Sequence, residues 1–195
     1  MATTATRKSG ITSTDLALIA TFAAVIAACS ILPALTVSGS SVPFTFQMFA
    51  IFLAGSVLGA VRGGLAVLLY LAVATAGVPI FSGGGAGPAT WAGVTGGYLV
   101  AFPIAAFVVG AVASRVARTN LAAFTAVVAI TAAVVTVAIV GPLGAAGMSI
   151  KLDVSYAKAW GFATPFFVFD IIKGVIAAVV AAAVHRAFPQ LAAKR

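Results

Sequence analysis

A carboxylate and an ammonium stand three residues apart in an otherwise apolar run, Thr164-Pro165-Phe166-Phe167-Val168-Phe169-Asp170-Ile171-Ile172-Lys173. Even the lower estimates put an Asp or Lys at the centre of a membrane helix at roughly 2.5 to 3.5 kcal/mol. Such residues usually face a bundle interior or a wet cavity and often mark a substrate path. Positions i and i+3 share one helical face, so Asp170 and Lys173 can touch each other or one bound molecule. A structural ion pair tying the helix to its neighbours is the competing reading. The second chemical feature is Val78 to Gly97, where Gly83-Gly84-Gly85-Ala86-Gly87-Pro88 is followed by Gly93-Val94-Thr95-Gly96-Gly97. Glycine costs about 1 kcal/mol per helical residue relative to alanine and proline about three, so this backbone is irregular. At membrane depth irregular backbone is tolerated where protein buries it or where it lines a cavity. The segment carries Phe81, Ser82, Trp91 and Thr95, with Tyr98 just after, and its aromatic faces and exposed backbone amides can wall a flat, polar ring. A flexible outer loop with interfacial aromatics is the alternative. Thr45 and Gln47, where another apolar run opens, add hydrogen-bonding groups at the outer mouth of a bundle.

These residues must be positioned by membrane helices. Of the 195 residues 63% are hydrophobic and only 7% charged, against about a quarter charged in a soluble domain. The chain reads as an all-α integral membrane protein. Its apolar runs predict six transmembrane helices at about 16–35, 44–59, 62–77, 97–114, 121–141 and 165–187, a single membrane domain over residues 1–195. The first run follows Arg7 and Lys8 but is some twenty residues long, enough to span rather than to form the core of a cleavable signal. Runs two and three are short for about 30 Å of hydrocarbon at 1.5 Å per residue, which predicts that they are tucked against protein. Val61-Arg62-Gly63-Gly64 reads as a tight turn between them. Gly141-Pro142-Leu143-Gly144 reads as the end of the fifth helix and Ser149 to Ala163 as a polar stretch at the interface. With the sixth helix entering at Pro165, Asp170 is expected only about 7 to 8 Å below its start. His185 and Arg186 end that helix at the interface. On the first helix Ala20, Ala24 and Ala28 share a face, the small-residue spacing by which membrane helices approach closely; internal packing explains it equally well.

The net charge of +8 is mostly topology. With six spans one side collects Arg7, Lys8, Arg62, Arg115, Arg118, Arg186, Lys194 and Arg195, and the other only Lys151 and Lys158. The excess puts both termini in the cytoplasm. The glycine-rich loop, the first loop and the Lys151 to Trp160 stretch then lie outside. They join the Gln47 end of the second helix and the Asp170/Lys173 face around one exterior pocket. The basic residues form no patch with interleaved aromatics, so nucleic acid is not an expected partner. One cysteine, Cys29, and one histidine leave no intrachain disulfide and no metal cage, and no cofactor is expected. No phosphate-binding loop is present for ATP hydrolysis, and no nucleophile is paired with a base, so the chain is not expected to be an enzyme.

The sequence resembles the BioY family, the biotin-specific substrate-binding (S) components of energy-coupling factor (ECF) transporters. The likeness rests on Val42-Pro43-Phe44-Thr45-Phe46-Gln47, Leu53-Ala54-Gly55 with Leu58-Gly59 and Arg62-Gly63, and Leu69-Tyr70 with Gly77-Val78-Pro79-Ile80-Phe81. It continues through Gly83-Gly84 and Thr95-Gly96-Gly97-Tyr98-Leu99 to Pro165-Phe166 and Asp170-Ile171-Ile172-Lys173. Two departures are Gly93-Val94-Thr95, where the family usually reads Gly-Pro-Thr, and the less typical Pro88-Ala89-Thr90-Trp91. The resemblance implies the six-helix S-component fold in a bacterial cytoplasmic membrane. It implies capture of biotin from outside in a pocket built largely by helices four to six, with Asp170 and Lys173 in the substrate site. It also implies docking of the first three helices, with the Ala20/Ala24/Ala28 face, on a transmembrane coupling protein driven by ATPase subunits. Biotin's ureido ring has two N–H donors and a strong carbonyl acceptor, which Asp170 and Lys173 can answer, while Phe81, Trp91 and Tyr98 pack the rest. For the tail carboxylate Lys151, Lys158, loop amides, Thr95 and Gln47 all remain open. The other readings are an S component for a different vitamin and a stand-alone proton-coupled transporter; for the latter the chain shows no clear inverted repeat and one buried acid.

Overall fold

The structure, a computed structural model, describes residues 10–32, 45–117 and 120–189. The outer end of the first predicted span, the loop from Thr36 to Pro43, Val42 to Phe44 of the first motif, and Arg7, Lys8, Arg118, Lys194 and Arg195 lie outside the described residues. Among the described residues all regular structure is helical. Helix α1, Ser13–Ile31, begins at a capping box: the Thr12 hydroxyl accepts from the Asp15 N–H, and the Asp15 carboxylate accepts from the Thr12 N–H at 2.9 Å. Arg62 donates to the same carboxylate at 2.9 Å, pinning the start of α1 to the next hairpin.

Helix α2, Gln47–Leu58, is buried along nearly its whole length, with Ala50, Ile51, Phe52 and Ala54 fully enclosed. Twelve residues rise about 18 Å, too short to face lipid across a bilayer and suited to a central strut. The turn into α3, Ala60–Thr75, is the single residue Gly59 at φ 82°, a left-handed value that favours glycine. Val61, Arg62, Gly63 and Gly64 are therefore not the turn, as their sequence suggests, but the opening of α3. Gly63 is small because α2 passes against it: a Cβ there would lie 2.8 Å from the Gly55 Cα.

Helix α4, Gly96–Ala113, follows the glycine-rich segment, which forms only two short 3-10 turns, Ser82–Gly84 and Pro88–Ala92. Helix α5, Leu121–Val135, is capped by Asn120, whose side chain accepts from the Ala123 N–H. It does not stop at Gly141-Pro142. A π-helical turn, Thr136–Val140, joins it to α6, Gly141–Leu152, as one continuous rod. In the turn the Gly141 N–H reaches the Thr136 carbonyl, and this wider register makes room for a proline that an α-helical ladder would reject.

Asp153, left-handed at φ 51°, ends α6, and Ser155 caps α7, Tyr156–Ala187. Pro165 lies inside α7 rather than at its start. Asp170 is thus fourteen residues along the helix, about 21 Å from its beginning rather than 7 to 8 Å. Much of the stretch expected at the interface is the first turns of α7, where Trp160 packs edge-on to Phe167 at 5.3 Å. His185 is buried, not interfacial: its Nε2 lies 3.1 Å from the Ser56 carbonyl, and Phe124 meets its ring edge-on.

Ser13–Ile31, Gly96–Ala113, Leu121–Leu152 and Tyr156–Ala187 are each long and apolar enough to cross a membrane, with α2 and α3 as shorter apolar helices. The chain is a multi-pass membrane protein.

Candidate ligand-binding site

Helix α7 brings the two charges inward because its inner seam is small. Gly174, Ala177, Ala178 and Ala181 are buried, and a Cβ on Gly174 would come within 2.7 Å of Ala132 on α5 and 3.6 Å of Phe52 on α2. Closing that seam turns Asp170 and Lys173 toward the middle of the bundle. Lys173 Nζ donates to Asp170 Oδ1 at 2.8 Å, with 7% and 10% of the two side chains exposed. Both line a cavity between α2, α4 and α7, beneath the glycine-rich segment.

The roof is the glycine-rich segment, and Tyr70 of α3 holds it down. The Tyr70 hydroxyl donates to the Ile80 carbonyl at 3.2 Å, accepts from Gln47 Nε2 at 2.9 Å and meets the Ser30 hydroxyl at 3.1 Å. One side chain thereby ties α1, α2, α3 and the loop together. Phe81, buried, stands edge-on to the Tyr70 ring at 5.9 Å and forms part of the cavity wall. Farther along, the Gly87 N–H donates to the Ala74 carbonyl at 2.9 Å.

Of the sequence-predicted residues, Thr45, Gln47, Phe81, Thr95 and Tyr98 reach this cavity with Asp170 and Lys173. Gln47 reaches it with its amide nitrogen committed to Tyr70, so its role is partly to brace the roof. Trp91 does not reach it. Its indole N–H donates to the Thr75 hydroxyl at 2.9 Å and the residue is 36% exposed, so it clips the loop to α3 from outside. Ala20, Ala24 and Ala28 are exposed on α1, whereas Ala23 and Ile26, on another face, are buried.

Helix α4 is set against α6 through glycine. A Cβ on Gly147 would lie 2.6 Å from the Gly97 N, and Gly144 has the Tyr98 ring directly against it, leaving no space for a side chain. The Tyr98 hydroxyl is buried in the cavity wall without a hydrogen-bond partner, and so is the Ser82 hydroxyl beside the roof. Ser82, noted in the glycine-rich segment without a role of its own, joins this lining, and the residues that sequence reasoning missed are apolar ones that include Phe102 and Phe166. Helical spacing would have found the last two: Phe102 is four residues after Tyr98 and Phe166 four before Asp170, each on the face already singled out.

The arrangement offers groups suited to binding. An ion pair presents one donor and one acceptor, neutral hydroxyls add further hydrogen-bonding groups, and the remaining wall is apolar. Among the described residues no group of three His, Cys, Asp or Glu side chains is placed to hold a metal ion.

Comparison with known proteins agrees with this picture. The model of the BioY family matches residues 2–190. The chain is 34% identical over 182 residues to the biotin transporter BioY of Rhizobium etli, covering 92% of this chain and 97% of that one. It is 35% identical over 173 residues to the biotin transporter BioY of Rhodobacter capsulatus, covering 86% and 90%. A crystal structure at 2.1 Å of the S-component for biotin from an ECF-type ABC transporter superposes with a TM-score of 0.78 at 25% identity, over 89% of this chain and 91% of that one.

Proposed function

Because the chain belongs to the BioY family, we propose that it is the biotin-binding S component of an ECF-type uptake transporter in a bacterial cytoplasmic membrane. It captures biotin from outside and delivers it inward when docked on a transmembrane coupling protein with ATPase subunits. The observation that carries this reading is the Asp170–Lys173 pair, enclosed by α7 and facing a cavity roofed by the glycine-rich loop. Asp170 accepts from a ureido N–H and Lys173 donates to the ureido carbonyl. In a dry pocket such charged hydrogen bonds contribute about 1.5 to 3 kcal/mol each. A ring lacking those groups leaves both charges poorly answered, the usual source of sharp discrimination. Phe81, Tyr98 and Phe166 supply apolar and aromatic surface for the thiophane and the alkyl chain.

The six-span arrangement with both termini in the cytoplasm completes the proposal: α2 and α3 count as short spans supported by their neighbours, and the exposed Ala20/Ala24/Ala28 face is the docking surface for the coupling protein. Titrating biotin into purified protein in detergent tests the site. Binding tighter than micromolar is expected, weakened at least tenfold by Asp170→Asn. Affinity no better than micromolar, an unchanged Asp170→Asn variant, or displacement of biotin by riboflavin or thiamine defeats the assignment.

A further inference from the structure

We propose that the hydroxyls of Ser82 and Tyr98 form a neutral cradle for the ligand's tail carboxylate, at a subsite separate from the ion pair. This rests on the biotin reading. Buried hydroxyls without partners are uncommon, because their desolvation is not repaid. Here two of them, one from the roof and one from the first turn of α4, line the same cavity. A ligand carboxylate, with two oxygens that only accept hydrogen bonds, offers an acceptor to each.

The charge distribution points to the same atoms. Lys173 is the one cation in the described cavity lining, and its ammonium is engaged by Asp170. Lys151 and Lys158 are exposed and not part of that lining. Once the ureido group takes the ion pair, the polar group left on biotin is its carboxylate, and the donors left in the wall include these two hydroxyls. Thr95 contributes to the same wall, but its hydroxyl is not among the buried groups left without a partner. Gly144 fixes the geometry: with the Tyr98 ring directly against it, the hydroxyl is held by packing rather than by a hydrogen bond within the protein.

The experiment compares biotin with biotin methyl ester on the full chain in detergent, using wild type, Tyr98→Phe and Ser82→Ala. Neither hydroxyl bonds the protein, so the empty variants should melt at the wild-type temperature or slightly above it, a behaviour that a structural hydroxyl would not show. Each variant is expected to weaken biotin about tenfold, in line with loss of a charged hydrogen bond, and the ester by less than threefold. Gly144→Ala, which pushes the Tyr98 ring toward the cavity, is expected to reproduce the loss for biotin while leaving Ser82 intact. Equal losses for acid and ester would place the hydroxyls against the ring instead and overturn the proposal, as would unchanged biotin affinity in both variants. A wild-type protein that binds no biotin overturns the functional reading itself, an outcome distinct from selective failure of the two variants.

Discussion

At the scale of single residues, the energetics of the pocket turn on asymmetry. Removing one partner of a buried ion pair leaves the other charge uncompensated and typically costs about 3 to 5 kcal/mol, whereas replacing both by uncharged groups of similar shape is often neutral or stabilising. Lys173→Met alone is therefore expected to lower the melting temperature in detergent sharply. Asp170→Asn with Lys173→Met should restore most of it while leaving biotin unbound. Recovery of binding along with stability would mean that the pair is structural. The sequence already shows these two residues, because charge inside an apolar run needs no partner to be conspicuous. Ser82 is a harder case: a serine among glycines looks like ordinary loop chemistry until the fold shows that its hydroxyl is enclosed and unanswered. Trp91 misleads for the opposite reason. An aromatic ring beside a glycine run suggests a binding wall, and nothing local reveals that Thr75 takes its N–H.

At the scale of elements, glycine has two roles that sequence does not separate. Gly174 on α7 lies against Ala132 and Phe52, so Gly174→Ile should wedge α7 away from α5 and α2, reducing both melting temperature and biotin affinity. Gly161 on the same helix has open space where a Cβ would stand. Gly161→Ala is expected to stabilise by about 1 kcal/mol through helix propensity, with affinity unchanged. Thermal melts paired with titrations check both, and a Gly174→Ile protein that melts and binds like wild type would show that the seam is not what orients the ion pair. The same ambiguity explains the misplaced boundaries. Helical stretches were legible from their apolar length, but Gly141-Pro142 and Pro165 look like stops. A π turn accommodates the first, and the second sits inside a membrane helix, where neighbouring groups re-satisfy the freed backbone.

At the scale of the whole molecule, the proposed ligand cavity and the proposed docking face are different surfaces. The cavity is walled by α2, α4, α7 and the roof, while Ala20, Ala24 and Ala28 stand exposed on α1. Enlarging that face, as in Ala24→Trp, should leave biotin binding by the isolated protein within twofold of wild type and abolish uptake by cells that supply the coupling protein and ATPases. Uptake measured with labelled biotin decides it, and normal transport by Ala24→Trp would remove α1 from the interface. The stature of the helices has a further consequence for the surrounding membrane. In the six-span reading α3, with Val61, Leu68 and Val73 exposed, rises only about 24 Å over its 16 residues, while the Leu121–Leu152 rod rises about 48 Å. A bilayer of uniform thickness cannot match both, so acyl chains beside α3 are compressed and those along the long rod are stretched or met by tilt. On that reading the protein is expected to gather shorter tails beside α3 and longer ones beside the rod, an enrichment that analysis of co-purified lipids by chain length checks.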